Sequence, residues 1–176
     1  SKVEQMLIQA VVKDGEKVIF RDVKDENSGQ TYNLTVAQYI AYDLSSDNLG
    51  FSNELYTKIL QEAVEHCGEE GFKAEEYFTQ HADINIASVA VRLSVDRFQL
   101  AESLQVKETE QTMRDRVIHL VADFRLEYVS SHLKELNERL LQVKDSQEMQ
   151  EIMSEIMKTQ NLRNELAKKT GTNILV

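Results

Sequence analysis

The side chains best suited to chemistry in this sequence are four histidines, one cysteine and a scatter of carboxylates. His66 sits directly beside Cys67. Adjacent side chains on a helix point about 100° apart, so the two cannot begin a zinc site, whose ligands need spacing. His119 and Asp123 stand at i, i+4 and share one helical face, the start of a metal-hydrolase pair whose remaining ligands are missing. The bland alternative for that pair is a solvated helix surface. The other two histidines are His81 and His132. Glu69-Glu70 and Glu75-Glu76 flank a loop and read as solvated rather than catalytic. No glycine-rich phosphate loop and no GxSxG nucleophile motif is present. The sequence therefore offers no catalytic residue and no metal ligand, and it implies no cofactor.

Composition narrows the class further. The chain has 176 residues, 41% hydrophobic and 28% charged, which is enough to bury a core without disulfides or metals. It has no proline and only six glycines, the two residues helices tolerate least. The lone Cys67 excludes an internal disulfide, so a reducing, cytoplasmic setting is expected. No run approaches the ~20 apolar residues of a membrane span. The opening Ser1-Lys2-Val3-Glu4 begins at once in a helical pattern with no signal-peptide core, as a piece of a longer protein would. Charge is uneven. Residues 1–106 hold 9 Lys/Arg against 18 Asp/Glu, a net of −9, while residues 107–176 hold 11 against 12, a net of −1. An acidic surface repels phosphate, so little direct nucleic-acid binding is expected.

The elements follow from periodicity. Val3, Met6, Leu7, Ala10 and Val11 predict a helix stopped at Asp14-Gly15. Two strand-like runs separated by the polar segment Lys24–Gly29 predict a β-hairpin at about 17–36, which must lie against helices because a lone hairpin is marginal. Short helices are predicted over 36–44, 52–66 with Ser52 as N-cap, 74–80, 83–94 and 96–104, with Asp83 and Asp96 as caps. The fold class expected is mainly α: a helical bundle with a small β-hairpin insertion, followed by a long helix and a C-terminal antiparallel helical hairpin.

From Glu108 to Val143 there is no glycine, proline or turn cluster. The apolar positions of this stretch fall in two phases. Met113, Val117, Leu120 and Phe124 form one stripe, and Leu126, Val129, Leu133, Leu136, Leu140 and Val143 the other. The join between them is a two-residue step, ~200° around a helix. The first half should face the bundle and the second half the next helix, which starts after the very short connection Lys144-Asp145-Ser146, with Asp145 and Glu148 spaced as a capping box. Two domains are expected, an acidic bundle over 1–125 and a hairpin over 126–176. On the last helix, Met149, Ile152, Met153, Ile156 and Met157 form a stripe whose methionines are expected to fill the hairpin interior, the alternative being an adaptable binding surface. Leu162 and Leu166 lie ~100–140° away from it. Beyond Gly171 the chain runs on through Ile174, Leu175 and Val176. These apolar residues either pack on the chain's own hairpin or offer a second face to a partner helix.

Several segments resemble one family. Phe51-Ser52-Asn53-Glu54-Leu55-Tyr56-Thr57-Lys58-Ile59-Leu60 is similar to a stretch of the C-terminal region of bacterial DNA primases. So are Tyr77-Phe78, the run His81-Ala82-Asp83-Ile84-Asn85-Ile86-Ala87-Ser88-Val89-Ala90, and Arg97-Phe98-Gln99-Leu100. The closing long helix and hairpin continue the match, which spans most of the chain as order and pattern rather than as one signature motif. The resemblance implies a non-catalytic interaction region that docks on the N-terminal domain of the hexameric replicative helicase and couples primer synthesis to the replication fork. Primer synthesis in that family belongs to other domains, whose zinc-binding and acidic metal-binding cores have no counterpart here. In some members the region also receives the acidic tail of single-strand-binding protein. Arg92 and Arg97 would have to supply the basic patch, against a net of −9 in residues 1–106.

The expected docking side chains are Leu162, Leu166, Ile174, Leu175 and Val176 as apolar anchors, with Arg163 and Lys169 as orienting charge at the rim. A free-standing helical adaptor using the same hairpin for another partner is the alternative reading.

Overall fold

The protein is described by a computed structural model covering residues 1–104 and 108–169, with side chains described for 1–95 and 108–168. It is mainly helical, with seven helices and one two-stranded hairpin among the described residues. The chain divides into two compact units, Ser1–Leu120 and Val121–Val176, and the boundary falls inside a helix.

In the first unit, α1 (Lys2–Asp14) is the central element and packs against the four helices that follow the hairpin. Its Leu7, Ile8, Ala10, Val11 and Val12 are buried, an apolar surface that runs most of the way round because neighbours lie on several sides. Ser1 caps it by accepting the Glu4 backbone N–H. β1 (Val18–Lys24) and β2 (Thr31–Thr35) pair antiparallel, with Phe20 opposite Leu34 and Val23 opposite Tyr32. The register slips between Phe20 and Val23, where Asp22 takes φ of 54°. Aspartate is among the few non-glycine residues that accept this conformation, and the Asn33 side chain takes the Asp22 N–H. Gly29, at φ of 70°, makes the turn.

Next come α2 (Val36–Ser46), α3 (Glu54–His66), α4 (Ala74–Thr79) and α5 (Ile84–Leu104). Thr35 and Gln38 close α2 with a reciprocal capping box, a signal already present in the sequence as Thr-x-x-Gln. Two expectations are corrected here. Ser52 is not the cap of α3. Asn53 accepts the Leu55 N–H, and the Ser52 hydroxyl instead donates to the buried Glu4 carboxylate. The two helices expected over 83–94 and 96–104 are one, because nothing at Ser94-Val95-Asp96 ends a helix and an aspartate inside one costs only about 0.7 kcal/mol. Asp83 does cap its start, accepting the Asn85 N–H.

The long helix α6 (Glu110–Gln142) has 33 residues, ~50 Å at 1.5 Å per residue, and passes through Ser130 and Ser131. Its first turns belong to the first unit, with Met113, Val117 and Leu120 buried. Arg116 there reaches the buried Asp14 (3.1 Å) and Glu108 (2.8 Å), while Lys17 holds the other Asp14 oxygen (2.8 Å). Arg114 donates to the Ile19 carbonyl, and Arg21 pairs with Glu110 at 3.0 Å.

The second unit holds the rest of α6 and α7 (Ser146–Lys169), joined through residues 143–145, so the two helices run antiparallel. Asp145 caps α7 by accepting the Glu148 N–H. Leu133, Leu136, Ile152 and Ile156 form the seam, with Leu140 and Val143 packed against it. His132 approaches Glu155 across the seam at 3.8 Å.

Candidate functional site

His66, Cys67 and His81 make local structural contacts. His66, at the last turn of α3, places Nδ1 2.7 Å from Glu69 and Nε2 3.3 Å from the Tyr77 hydroxyl. His81 accepts the Asp83 backbone N–H at Nδ1, which puts its proton on Nε2, 2.7 Å from Glu62. Phe72, Tyr77 and Phe78 stack or tilt around these imidazoles at centroid distances of 4.9–6.5 Å. Burial and the surrounding Glu62, Glu65 and Glu69 charges push the Tyr77 phenol above its ordinary value, away from the range a nucleophile or general base needs. The Cys67 thiol donates to the Val64 carbonyl. His119 and Asp123 are exposed on α6. Among the described residues, no group of three or more His, Cys, Asp or Glu side chains is placed to hold a metal ion.

Among the described residues, the outer surface of the hairpin carries several exposed apolar side chains. Seven residues were expected to carry docking, and the structure places four of them on α7. Leu162 is 47% exposed, Arg163 is half-buried and Leu166 is half-buried. Lys169 is the last residue of the helix, and its side chain lies outside the described residues, as do Ile174, Leu175 and Val176. The side chain of Arg97 lies outside them too, while Arg92 is exposed.

The methionines are a correction. Met149, Met153 and Met157 do not fill the hairpin interior. They are 37%, 51% and 66% exposed, and the progression has a simple geometric cause. The seam is built by Ile152, Ile156 and Thr159, at steps of four and three, which keeps one direction on the helix. Steps of four advance ~40° each, so Met149, Met153 and Met157 walk progressively out of the seam toward solvent. Thr159 enters the buried face by donating its hydroxyl to the Glu155 carbonyl, which satisfies the only polar atom it brings. Leu162 sits on the opposite flank of the seam from the methionines. On α6, Leu141 is 88% exposed and Tyr128 44%. The hairpin thus shows a set of exposed flexible or branched apolar side chains that lie outside the seam formed by its described residues. Methionine suits such a surface, because its unbranched thioether adapts to irregular partners.

The match that places the chain among known sequences spans nearly all of it: the model of a domain family of unknown function, DUF8430, covers residues 1–174. The chain belongs to the DUF8430 family. The match takes in both units, bundle and hairpin alike. No curated protein and no solved structure matches this DUF8430 chain. No helix among the described residues is long and apolar enough to cross a membrane.

Proposed function

We propose that this DUF8430 chain is a non-catalytic interaction module of a bacterial DNA primase, one that docks on the N-terminal domain of the replicative helicase through its C-terminal hairpin. The resemblance of Phe51–Leu60, Tyr77-Phe78 and His81–Ala90 to the primase C-terminal region supports it. So does the order of elements, a helical bundle, a long helix and an antiparallel hairpin. The observation that carries the reading is the hairpin's exposed apolar surface. The exposed Leu162 and the Met149–Met153–Met157 ridge give a partner helix apolar anchors, with Arg163 as orienting charge; Leu166 and Lys169 follow them in sequence on the same helix. Ile174, Leu175 and Val176 extend the anchors in sequence. The work is done in the cytoplasm, where the partner resides. Docking of this size falls near micromolar affinity, about −8 kcal/mol, and several copies on a hexameric ring raise it through effective concentration.

Calorimetric titration against the helicase N-terminal domain of the same organism tests the reading. Leu162→Asp and Met153→Asp are the controls, because both positions are exposed and neither substitution enters the seam. Saturable binding lost in one or both variants supports the proposal. Absence of binding at a few hundred micromolar, with the fold intact, turns the chain into a helical adaptor for another partner.

A further inference from the structure

A second concave surface lies in the first unit, where the β-hairpin leans on α2. Phe20 and Tyr32 from the strands and Tyr39 and Tyr42 from α2 line a groove of about 430 Å³, with Asp25 and Glu26 of the turn at its rim. Two of these tyrosines are unusually open for large aromatic side chains, Tyr32 at 43% and Tyr42 at 65%. The other two rings are fixed. Phe20 and Tyr39 lie 5.1 Å apart, and the Arg114 guanidinium sits 5.8 Å above Phe20 while donating to the neighbouring Ile19 carbonyl.

We propose that this groove binds an extended, proline-rich segment of another protein that carries a basic side chain. Rigid aromatic walls suit a polyproline II segment, whose rings stack on them at little entropic cost and whose carbonyls have no internal hydrogen bonds. A phenolic hydroxyl can donate to such a carbonyl, and tyrosine supplies both ring and donor. The rim supplies the charge complementarity. Glu26 is exposed, and the Asn27 N–H and the Ser28 hydroxyl hold the Asp25 carboxylate below the usual carboxylate range; among the described residues Lys24 also lines the groove, and Arg114 is taken up against Phe20. The wider field has the same sign, a net of −9 over residues 1–106. That field disfavours the other ligand that stacks on aromatic rings, single-stranded nucleic acid. These 176 residues contain no proline, so a segment of this kind comes from outside them. The groove does not involve the hairpin of α6 and α7, so this proposal stands apart from helicase docking.

The test is fluorescence anisotropy of the whole chain with a fluorescein-labelled peptide of repeated Pro-Pro-Arg. A Gly-Gly-Arg repeat of equal charge and an oligothymidylate serve as comparisons. Saturable binding is expected for the proline peptide, weakened about tenfold or more by Tyr42→Ala and by Tyr32→Ala, and weakened again by Glu26→Lys. Both tyrosines are exposed, so the variants should fold, and circular dichroism checks it. As a second readout, amide chemical-shift changes should gather on 20–26, 32–34 and 39–42. The proposal is overturned by no saturation at about 1 mM peptide, by equal binding of the Gly-Gly-Arg peptide, by tighter binding of the oligothymidylate, or by shift changes confined to other surfaces.

Discussion

If the seam of the hairpin runs along Ile152 and Ile156 rather than along the methionines, two chemically similar truncations on α7 must have opposite consequences. Ile152 is buried and touches Leu133 and Leu136 in the cluster that joins α7 to α6, while Met153 is half open to solvent. Truncating a buried isoleucine to alanine costs about 2–5 kcal/mol, and a seam with only one partner helix can partly collapse, which places Ile152→Ala at about 2–3 kcal/mol. Met153→Ala, away from that seam, falls within about 0.5 kcal/mol. Native-state hydrogen exchange reads this locally, because α7 can open as a cooperative piece while the bundle stays closed. At 1.4 kcal/mol per factor of ten, Ile152→Ala should speed exchange of the α7 amides by about 30- to 150-fold, or to the unprotected limit if the hairpin holds less than that in reserve. Met153→Ala should change it by less than about threefold, and amides of α1 should be unchanged in both. If Met153→Ala accelerates α7 exchange as much as Ile152→Ala does, the seam is misassigned and the methionine ridge is not a free surface.

Three further outcomes follow from buried polar groups. Arg116→Met removes a guanidinium from the buried Asp14 while Lys17 still holds the other oxygen; because Arg116 is itself a third exposed, the loss should be about 1–2 kcal/mol rather than that of a fully buried pair, read as a lower urea midpoint at unchanged m-value. Glu4→Ala strips the acceptor from the Ser52 hydroxyl and the Asn53 N–H and should cost about 2 kcal/mol; in a double-mutant cycle with Ser52→Ala the losses should fall short of additivity, and strict additivity would show the contact to be idle. The Tyr77 phenol is raised by burial and by nearby carboxylates, so the folded state holds that proton where the unfolded chain has released it. Stability from this group is complete below about pH 10 and is lost as pH climbs through the folded value, so wild type should lose stability above pH 10 more steeply than Tyr77→Phe. Parallel curves for the two proteins would show that the phenol is not perturbed.

Most local decisions were legible in the residues. Asp14-Gly15 ends α1, Asp83 and Asp145 cap their helices, and the polar run around Gly29 turns the hairpin, because each acts through its own backbone within a few residues. The two apolar phases of α6 could be counted too, since a two-residue step in the pattern rotates the buried face whatever it meets. The Thr35–Gln38 capping box was equally local and readable.

What the sequence could not settle is which part of a broad apolar arc finds a partner. Met149, Ile152, Met153, Ile156 and Met157 span about 140° of α7, more than one neighbouring helix can cover. Periodicity treats them alike, and only the placement of Leu133 and Leu136 opposite Ile152 and Ile156 leaves the methionines outside. Long-range electrostatics were hidden for the same reason. Glu4 and Asp14 look like surface acids on a solvated helix, yet they are buried because donors 48 and 102 residues away, Ser52 and Arg116, arrive beside them. The aromatic groove likewise needs residues from two strands and a helix in one place. Sequence fixes what depends on neighbours along the chain. Only the tertiary structure decides which apolar and charged groups meet a distant partner, and therefore which are left over for binding.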